Sequence, residues 1–156
     1  MLEIGYKKLN ARAVTPFYAK DGDAGMDIVS TRVIDEDDES ITYGTDLSFE
    51  IPNGYVGLLF PRSSVRKYGL VLSNCVGVID SGYRGEIMCN FKKTGNLLNK
   101  IASFLFGKKS NLTSKYEVGE RMCQIVFIQL PKVLLKEKNS LSDSERGSGG
   151  FGHSGK

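Results

Sequence analysis

Turn residues interrupt this chain so often that only short elements fit between them. Eighteen glycines are spread along its 156 residues, and the stretches between them are rich in β-branched and aromatic side chains, which favours an all-β barrel or sandwich over a helical bundle. Leu47, Phe49 and Ile51 alternate with polar neighbours, Pro52-Asn53-Gly54 supplies turn chemistry, and the apolar run Tyr55 to Phe60 follows; this order predicts a hairpin. A second hairpin is expected where Val71 to Ile79 and Glu86 to Phe91 flank Asp80-Ser81-Gly82-Tyr83-Arg84-Gly85, with Ile87, Cys89 and Phe91 on one face of the returning strand. Met122 to Leu130 is apolar apart from Gln124 and Gln129, as a strand buried on both faces would be, and Pro131 helps to end it.

Three segments break the pattern. Leu97, Leu98, Ile101, Phe104 and Leu105 fall at helical spacing behind the N-cap candidate Asn96, with Lys108-Lys109 placed to meet the C-terminal end of the dipole. A short amphipathic helix of about 10–12 residues is expected there. Its apolar stripe packs on its own protein or, on the sharper reading, on a partner. The run Asp35-Glu36-Asp37-Asp38-Glu39 lacks the spacing and carbonyl ligands of a calcium loop and reads as a solvated loop. From Lys136 the chain turns polar, and Arg146 to Lys156 holds five glycines in eleven residues, too little apolar area to offset the entropy of ordering. One domain over residues 1–135 with a flexible arm over 136–156 is therefore expected. The arm reads either as a bare linker or as a ligand-closing flap with one guanidinium and one ring.

Lys and Arg number 21 against 18 Asp and Glu, a net charge of +3, too small for a surface that coats a nucleic-acid backbone. No apolar run approaches the ~18–20 residues needed to cross a bilayer, and Met1 to Asn10 lacks the pattern of a secretory signal. No nucleic-acid or membrane partner is expected. Cys75, Cys89 and Cys123 are odd in number without metal-ligand spacing and read as reduced core residues of a protein in the cytoplasm or another reducing compartment.

Local chemistry accumulates around phosphate. Pro61-Arg62-Ser63-Ser64 places a fixed cation and two hydroxyls where the chain leaves a strand, which suits a phosphate ester or anhydride and equally an ordinary basic turn. Asp23-Ala24-Gly25-Met26-Asp27 brings two carboxylates close in sequence, either for water, a metal's hydration shell or an arginine, or as an Asx turn. Asp80 heads a tight turn, where an acid can face a ligand without full burial, and Tyr83 beside it offers a flat ring to a sugar or base. A structural turn Asp would look the same.

Taken in order, Asp23-Ala24-Gly25-Met26-Asp27-Ile28, Pro61-Arg62-Ser63-Ser64, Gly77 through Gly85, Gly119-Glu120-Arg121-Met122-Cys123-Gln124-Ile125 and Arg146-Gly147-Ser148-Gly149-Gly150-Phe151-Gly152 resemble the five motifs of the trimeric dUTPases, over roughly Leu9 to Lys156. The resemblance implies a distorted jelly-roll β-barrel, with a helical insertion at about 94–116 and the flexible arm. It also implies a homotrimer whose three sites are shared between chains, and Mg²⁺-dependent hydrolysis of dUTP to dUMP and pyrophosphate, a reaction that limits uracil in DNA and supplies dUMP for thymidylate synthesis. Mg²⁺ would be held by substrate phosphates and water rather than directly by protein. Asp80 matches the carboxylate that orients and deprotonates the water attacking the α-phosphorus. Asn74, Val78, Ile79 and Met88 match the uracil slot, and Tyr83 matches the ring that leaves no space for a 2′-hydroxyl. Arg62, Ser63, Ser64 and Gln124 match phosphate-side contacts, and Asp27 matches an acid that braces the site. Arg146 matches the γ-phosphate clamp, Phe151 the ring that stacks on uracil, and Gly152 and Ser154 the end of that motif.

Departures are few. Many relatives have Gly at the Ser64 position, His153 stands where the family's usual Ser-Thr pair begins, and the Thr94 to Tyr116 segment is longer than the family's common connection. The dCTP deaminases share the fold and resemble Arg62-Ser63-Ser64 more closely. They place a glutamate where this chain has Asn90, Trp at Tyr83 and Arg at Lys67, and they lack the arm, so an amide would have to do acid/base work. A regulatory protein that engages a partner through the insertion is the remaining alternative, read as an addition to catalysis.

Overall fold

The computed structural model describes residues 2–94 and 115–150. The described residues form ten strands and one short 3₁₀ turn: β1 (Gly5–Lys8), β2 (Met26–Val29), β3 (Arg32–Glu36), β4 (Ser40–Gly44), β5 (Leu47–Glu50), β6 (Tyr55–Pro61), the turn η1 (Ser63–Lys67), β7 (Leu70–Leu72), β8 (Gly77–Ile79), β9 (Met88–Lys93) and β10 (Arg121–Gln129). They make two four-stranded sheets, β2-β10-β6-β8 and β3-β4-β9-β7, with β1 and β5 as a separate pair. This is a jelly-roll β-barrel. No described helix is long and apolar enough to cross a membrane.

Both sheets contribute to one core. Ile28, Leu59, Met122, Cys123 and Ile125 from the first sheet meet Ile41, Tyr43, Leu72, Cys89 and Phe91 from the second, each large apolar side chain contributing about 1.5–3 kcal/mol through burial. As its sequence predicts, β9 alternates, with Cys89 and Phe91 inside and Met88, Asn90 and Lys92 outside, and Ile87 is buried just before it. Strand β10 pairs on both edges, antiparallel to β2 and β6. It is most deeply buried at Met122, Cys123 and Ile125, whereas Ile128 and Gln129 are exposed.

The two expected hairpins are corrected. The turn after Ile51 exists, closed by Tyr55 N–H to the Pro52 carbonyl at 3.2 Å, but β5 pairs with β1 while β6 pairs with β10 and β8. The Val71 to Ile79 stretch likewise splits: β7 pairs with β9 and β8 crosses to β6 in the other sheet. Local alternation marks strands and turns, but a strand with apolar residues on both faces is free to change sheets.

Two further expectations change. Cys89 and Cys123 are buried, but Cys75 is exposed in a left-handed conformation with φ 60°, so it is not a core residue. Hydrogen bonding to the neighbouring Cys89 thiol and burial push the Cys123 thiol well up from its usual range. The acidic run ends β3 with Asp35 and Glu36 and makes the β3–β4 turn with Asp37 to Glu39, and it is not merely solvated. Glu36 takes Lys93 Nζ at 2.8 Å and Lys115 Nζ at 2.6 Å, while Asp37 Oδ1 accepts the Glu39 and Ser40 amides, both at 2.7 Å. The amphipathic helix expected at Leu97 to Leu105 lies outside the described residues.

Candidate active site

The chemistry-bearing residues gather at two places. At the first, β6 ends at Pro61 and the chain tightens into η1, the Arg62 amide bonding to the Met122 carbonyl at 3.1 Å. Asp27, 6% exposed on β2, reaches across with both oxygens: Oδ1 meets Arg62 Nε at 2.8 Å, and Oδ2 meets Arg121 Nη1 at 2.9 Å. A buried carboxylate between two guanidiniums is neutralised and fixes both cations. A bulge in the β2–β10 pairing lies between Arg121 and Cys123, a device that re-aims side chains. Gln124 stands level with Asp27 on one side and Phe60 on the other. A Cβ built on Gly25 would lie 3.3 Å from Gln124 Oε1, so the chain beside Gln124 runs close over its amide.

Ser63 is exposed beside Arg62. The Ser64 hydroxyl is buried, and neither it nor the buried Tyr116 hydroxyl makes a hydrogen bond of normal geometry. Burial pushes Tyr116 up to about 12, tempered by the nearby Ser64. The two carboxylates of the 23–27 segment take different partners, because Asp23 Oδ2 accepts the Lys20 amide at 2.8 Å within its own turn.

The second place is the turn between β8 and β9. Asp80 is exposed, and its backbone carbonyl accepts the Tyr83 amide at 3.1 Å. Arg84 Nη1 donates to the Ser81 and Tyr83 carbonyls at 2.6 and 3.0 Å, so its cation ties the turn together. Tyr83 is 41% exposed; its hydroxyl donates to the Glu86 carbonyl at 3.0 Å. Its ring lies so close over Gly85 that a Cβ there would sit 2.4 Å from the hydroxyl oxygen, so any larger residue at 85 would displace the ring. Val78 and Met88 are largely exposed, Ile79 is half-buried and Asn74 lies in the exposed β7–β8 connection.

Register separates these places. Gly57 pairs with Ile79 and Leu59 with Gly77, so Asp80 falls level with Val56. Arg62 lies six residues farther along, about 20 Å at the rise of a strand. One chain therefore does not bring Arg62 and Asp80 into a common site. Arg146 makes local contacts: its Nε donates to the Gly149 carbonyl at 2.9 Å. Phe151, Gly152, His153 and Ser154 lie outside the described residues. Asn90 spends its amide on structure, accepting from Ser73 and donating to Thr42 Oγ1 at 2.7 Å, which leaves it no acid/base role.

Sequence reasoning singled out neither Arg121 as a partner of Asp27 nor the ionic network of Arg12, Arg32, Asp46 and Glu86 beneath the 80–85 turn. Arg121 lies within the segment quoted for Gln124, but nothing local links it to a carboxylate 94 residues away.

Comparison with known proteins identifies a family. A dUTPase family model matches residues 11–155. The chain is 35% identical over 156 residues to the deoxyuridine 5′-triphosphate nucleotidohydrolase of Clostridium kluyveri, covering 99% of each chain. It is 37% identical over 149 residues to that of Alcanivorax borkumensis, covering 90% of this chain and 87% of the relative. Among solved structures it is similar to the dUTPase of Staphylococcus bacteriophage 80alpha bound to dUPNHPP, with a TM-score of 0.79, 30% identity and 99% of each chain covered.

Proposed function

The chain belongs to the dUTPase family, and from that premise we propose how it works as a dUTP diphosphatase, hydrolysing dUTP to dUMP and pyrophosphate. The observation that supports the reading is the separation of two groups along β6. At one end a cation is fixed by Asp27, and at the other an acid stands at an exposed turn. Arg62 with Ser63, Ser64 beneath them and Gln124 meets the phosphates. Asn74, Val78, Ile79 and Met88 hold uracil, and the Tyr83 ring lies against the deoxyribose. Asp80 orients the attacking water and takes its proton as the bond to the α-phosphorus forms and pyrophosphate leaves. The water's second proton stays on the new dUMP phosphate. Arg146, Phe151, Gly152 and Ser154 close over the site from the arm at 136–156, excluding bulk water around the reacting centre.

The roughly 20 Å between Asp80 and Arg62 within a chain supports a site built from more than one copy, the phosphate end of one facing the uracil end of another in a homotrimer. Three unpaired thiols, two of them buried, fit a reducing intracellular compartment such as the cytoplasm. The donor set fits Mg²⁺ brought in on the triphosphate: Asp27 is occupied by two arginines, and the described residues hold no cluster of three or more His, Cys, Asp or Glu suited to a protein cage. When bound, Mg²⁺ would neutralise phosphate charge that the protein's two arginines alone do not balance.

The test is pyrophosphate release from dUTP, UTP, dCTP and dTTP, with Mg²⁺ and with EDTA, alongside light scattering. Release from dUTP alone, abolished by EDTA, from a particle three chains in size is the expected result. Full activity from a monomer overturns the shared site, and release unaffected by EDTA overturns the metal.

A further inference from the structure

The ion network beneath the 80–85 turn has a geometry that ordinary fold stabilisation does not require. Glu86 Oε1 accepts Arg32 Nη1 at 2.8 Å, the Asp46 amide at 2.8 Å and the Thr45 amide at 3.1 Å, while Oε2 accepts Arg32 Nη2 at 2.6 Å. Arg32 Nη1 also meets Asp46 Oδ1 at 2.5 Å, and Asp46 takes Arg12 Nε and Thr31 Oγ1, both at 2.6 Å. Asp46 is 4% exposed and adopts φ 53°, a left-handed conformation that aspartate accepts more readily than most non-glycine residues. A Cβ on Gly44 would sit 2.6 Å from Arg32 Nη1 and 2.7 Å from Glu86 Oε1, so the β4 backbone is pressed against the ion pair. Directly after Glu86, the Ile87 amide bonds to the Leu47 carbonyl at 2.8 Å and Thr45 Oγ1 to the Ile87 carbonyl at 2.7 Å.

This bracing converges on one residue whose backbone carbonyl is the acceptor for the Tyr83 hydroxyl. Within the turn, Arg84 bonds to Ser81 and Tyr83, and Tyr83 to Asp80; Ser48 Oγ donates to the Arg84 carbonyl at 2.7 Å and Ser81 Oγ to Asn53 Oδ1 at 3.2 Å, which hold the turn to β5 and the loop after it without involving the Tyr83 side chain. Through Glu86, the Tyr83 hydroxyl is tied to the rigid sheet.

We propose that Glu86, clamped by Arg32 and Asp46, is a specificity-determining positioning residue: it fixes the height of the Tyr83 ring and thereby the exclusion of the ribose 2′-hydroxyl. The inference rests on the assignment of Tyr83 to the sugar. A ring that must reject one hydroxyl works only if it cannot retreat by about an ångström, because a yielding wall discriminates little. A partly buried carboxylate that accepts four donors resists displacement, since each donor lost costs a hydrogen bond and those from Arg32 are charge-assisted.

The experiment compares kcat/KM for dUTP and UTP in Tyr83→Ala, Tyr83→Phe, Glu86→Gln and the Tyr83→Phe/Glu86→Gln double variant. Tyr83→Ala tests the premise: an unchanged dUTP-to-UTP ratio removes Tyr83 from the sugar and leaves Glu86 without this role. Given a fall there, Tyr83→Phe, which keeps the ring and the ion network, is expected to lower the ratio about tenfold, chiefly through a lower KM for UTP. Glu86→Gln should produce a similar fall, and the double variant little more than either single change, because all cut the same link. Wild-type discrimination in Tyr83→Phe, or in a folded Glu86→Gln, overturns the proposal.

Discussion

At the Arg62 end of β6 the buried acid is answered within the chain, whereas at the Asp80 end a carboxylate stands exposed on a turn and the bracing lies one layer below it. Asp27 holds Arg62 and Arg121; the Asp46 and Glu86 carboxyls are held below the usual carboxylate range despite their burial, Asp46 chiefly by Arg12 and Thr31 and Glu86 chiefly by Arg32. The difference follows from the work assigned to each end. A cation that meets phosphate gains from being fixed before the ligand arrives. An acid that takes a proton from water must keep its basicity, which a salt bridge to a guanidinium would lower. On the proposed mechanism the two groups lie about 20 Å apart on one chain.

The largest effect should come from the exposed end. Asp80→Asn is expected to lower kcat by on the order of 10²–10⁴ with little change in dUTP binding, measured as pyrophosphate release against a binding titration. Arg62→Ala should be comparably damaging but through KM, since it removes a charge-assisted contact. Co-refolding the two inactive variants provides a sharper test. If Asp80 and Arg62 of one site come from different copies, mixed assemblies contain some intact sites and activity returns well above either parent. No recovery from mixtures shown to be mixed would place both residues of a site on one chain and break the comparison.

Asp27→Asn should act next most strongly. An amide cannot neutralise two guanidiniums, so Arg62 and Arg121 lose their common anchor and repel each other. KM for dUTP is expected to rise about tenfold, with a smaller fall in kcat. Equal falls in kcat and kcat/KM would mean that Asp27 acts on the transition state and not as a brace.

How much of this was legible in the sequence follows the same division. Strand positions, the buried face of β9 and the point where the chain leaves its strand at Pro61-Arg62-Ser63 could be read because alternation and turn chemistry are local. The sheet to which β6 and β8 belong could not, since their apolar faces fit either layer and only the packed core decides. Asp27 was read as a bracing acid, but its partner Arg121 was not. The clamp on Glu86 was missed entirely, because its members at 12, 32, 46 and 86 have no common period and meet only after the sheets form. Gly44 and Gly85, which look like ordinary turn or strand glycines, are required by close side chains that the sequence does not announce.

The smallest predicted effect serves as the control. Glu36 holds Lys93 and Lys115, the described residues flanking 95–114, with one carboxylate, yet it belongs to neither end of β6. Lys115 and then Lys93 hold its carboxyl below the usual range. A lowered acid stabilises the fold above its unfolded value of about 4.3, and that contribution fades as pH falls through the folded value. The clamp is partly exposed and screened, so Glu36→Gln should cost roughly 0.5 kcal/mol at pH 7, about 1–2 °C in Tm. The gap between variant and parent should narrow as pH falls below the unfolded value and through the lowered folded one. Thermal unfolding across that range checks the sign, and the kcat and KM of the same variant check the separation. Unchanged kinetics keep the Glu36 ion pairs independent of the site, whereas a shift in KM for dUTP beyond about twofold would mean that residues 93 and 115 are coupled to the η1 turn, adding a third region to the two that β6 connects.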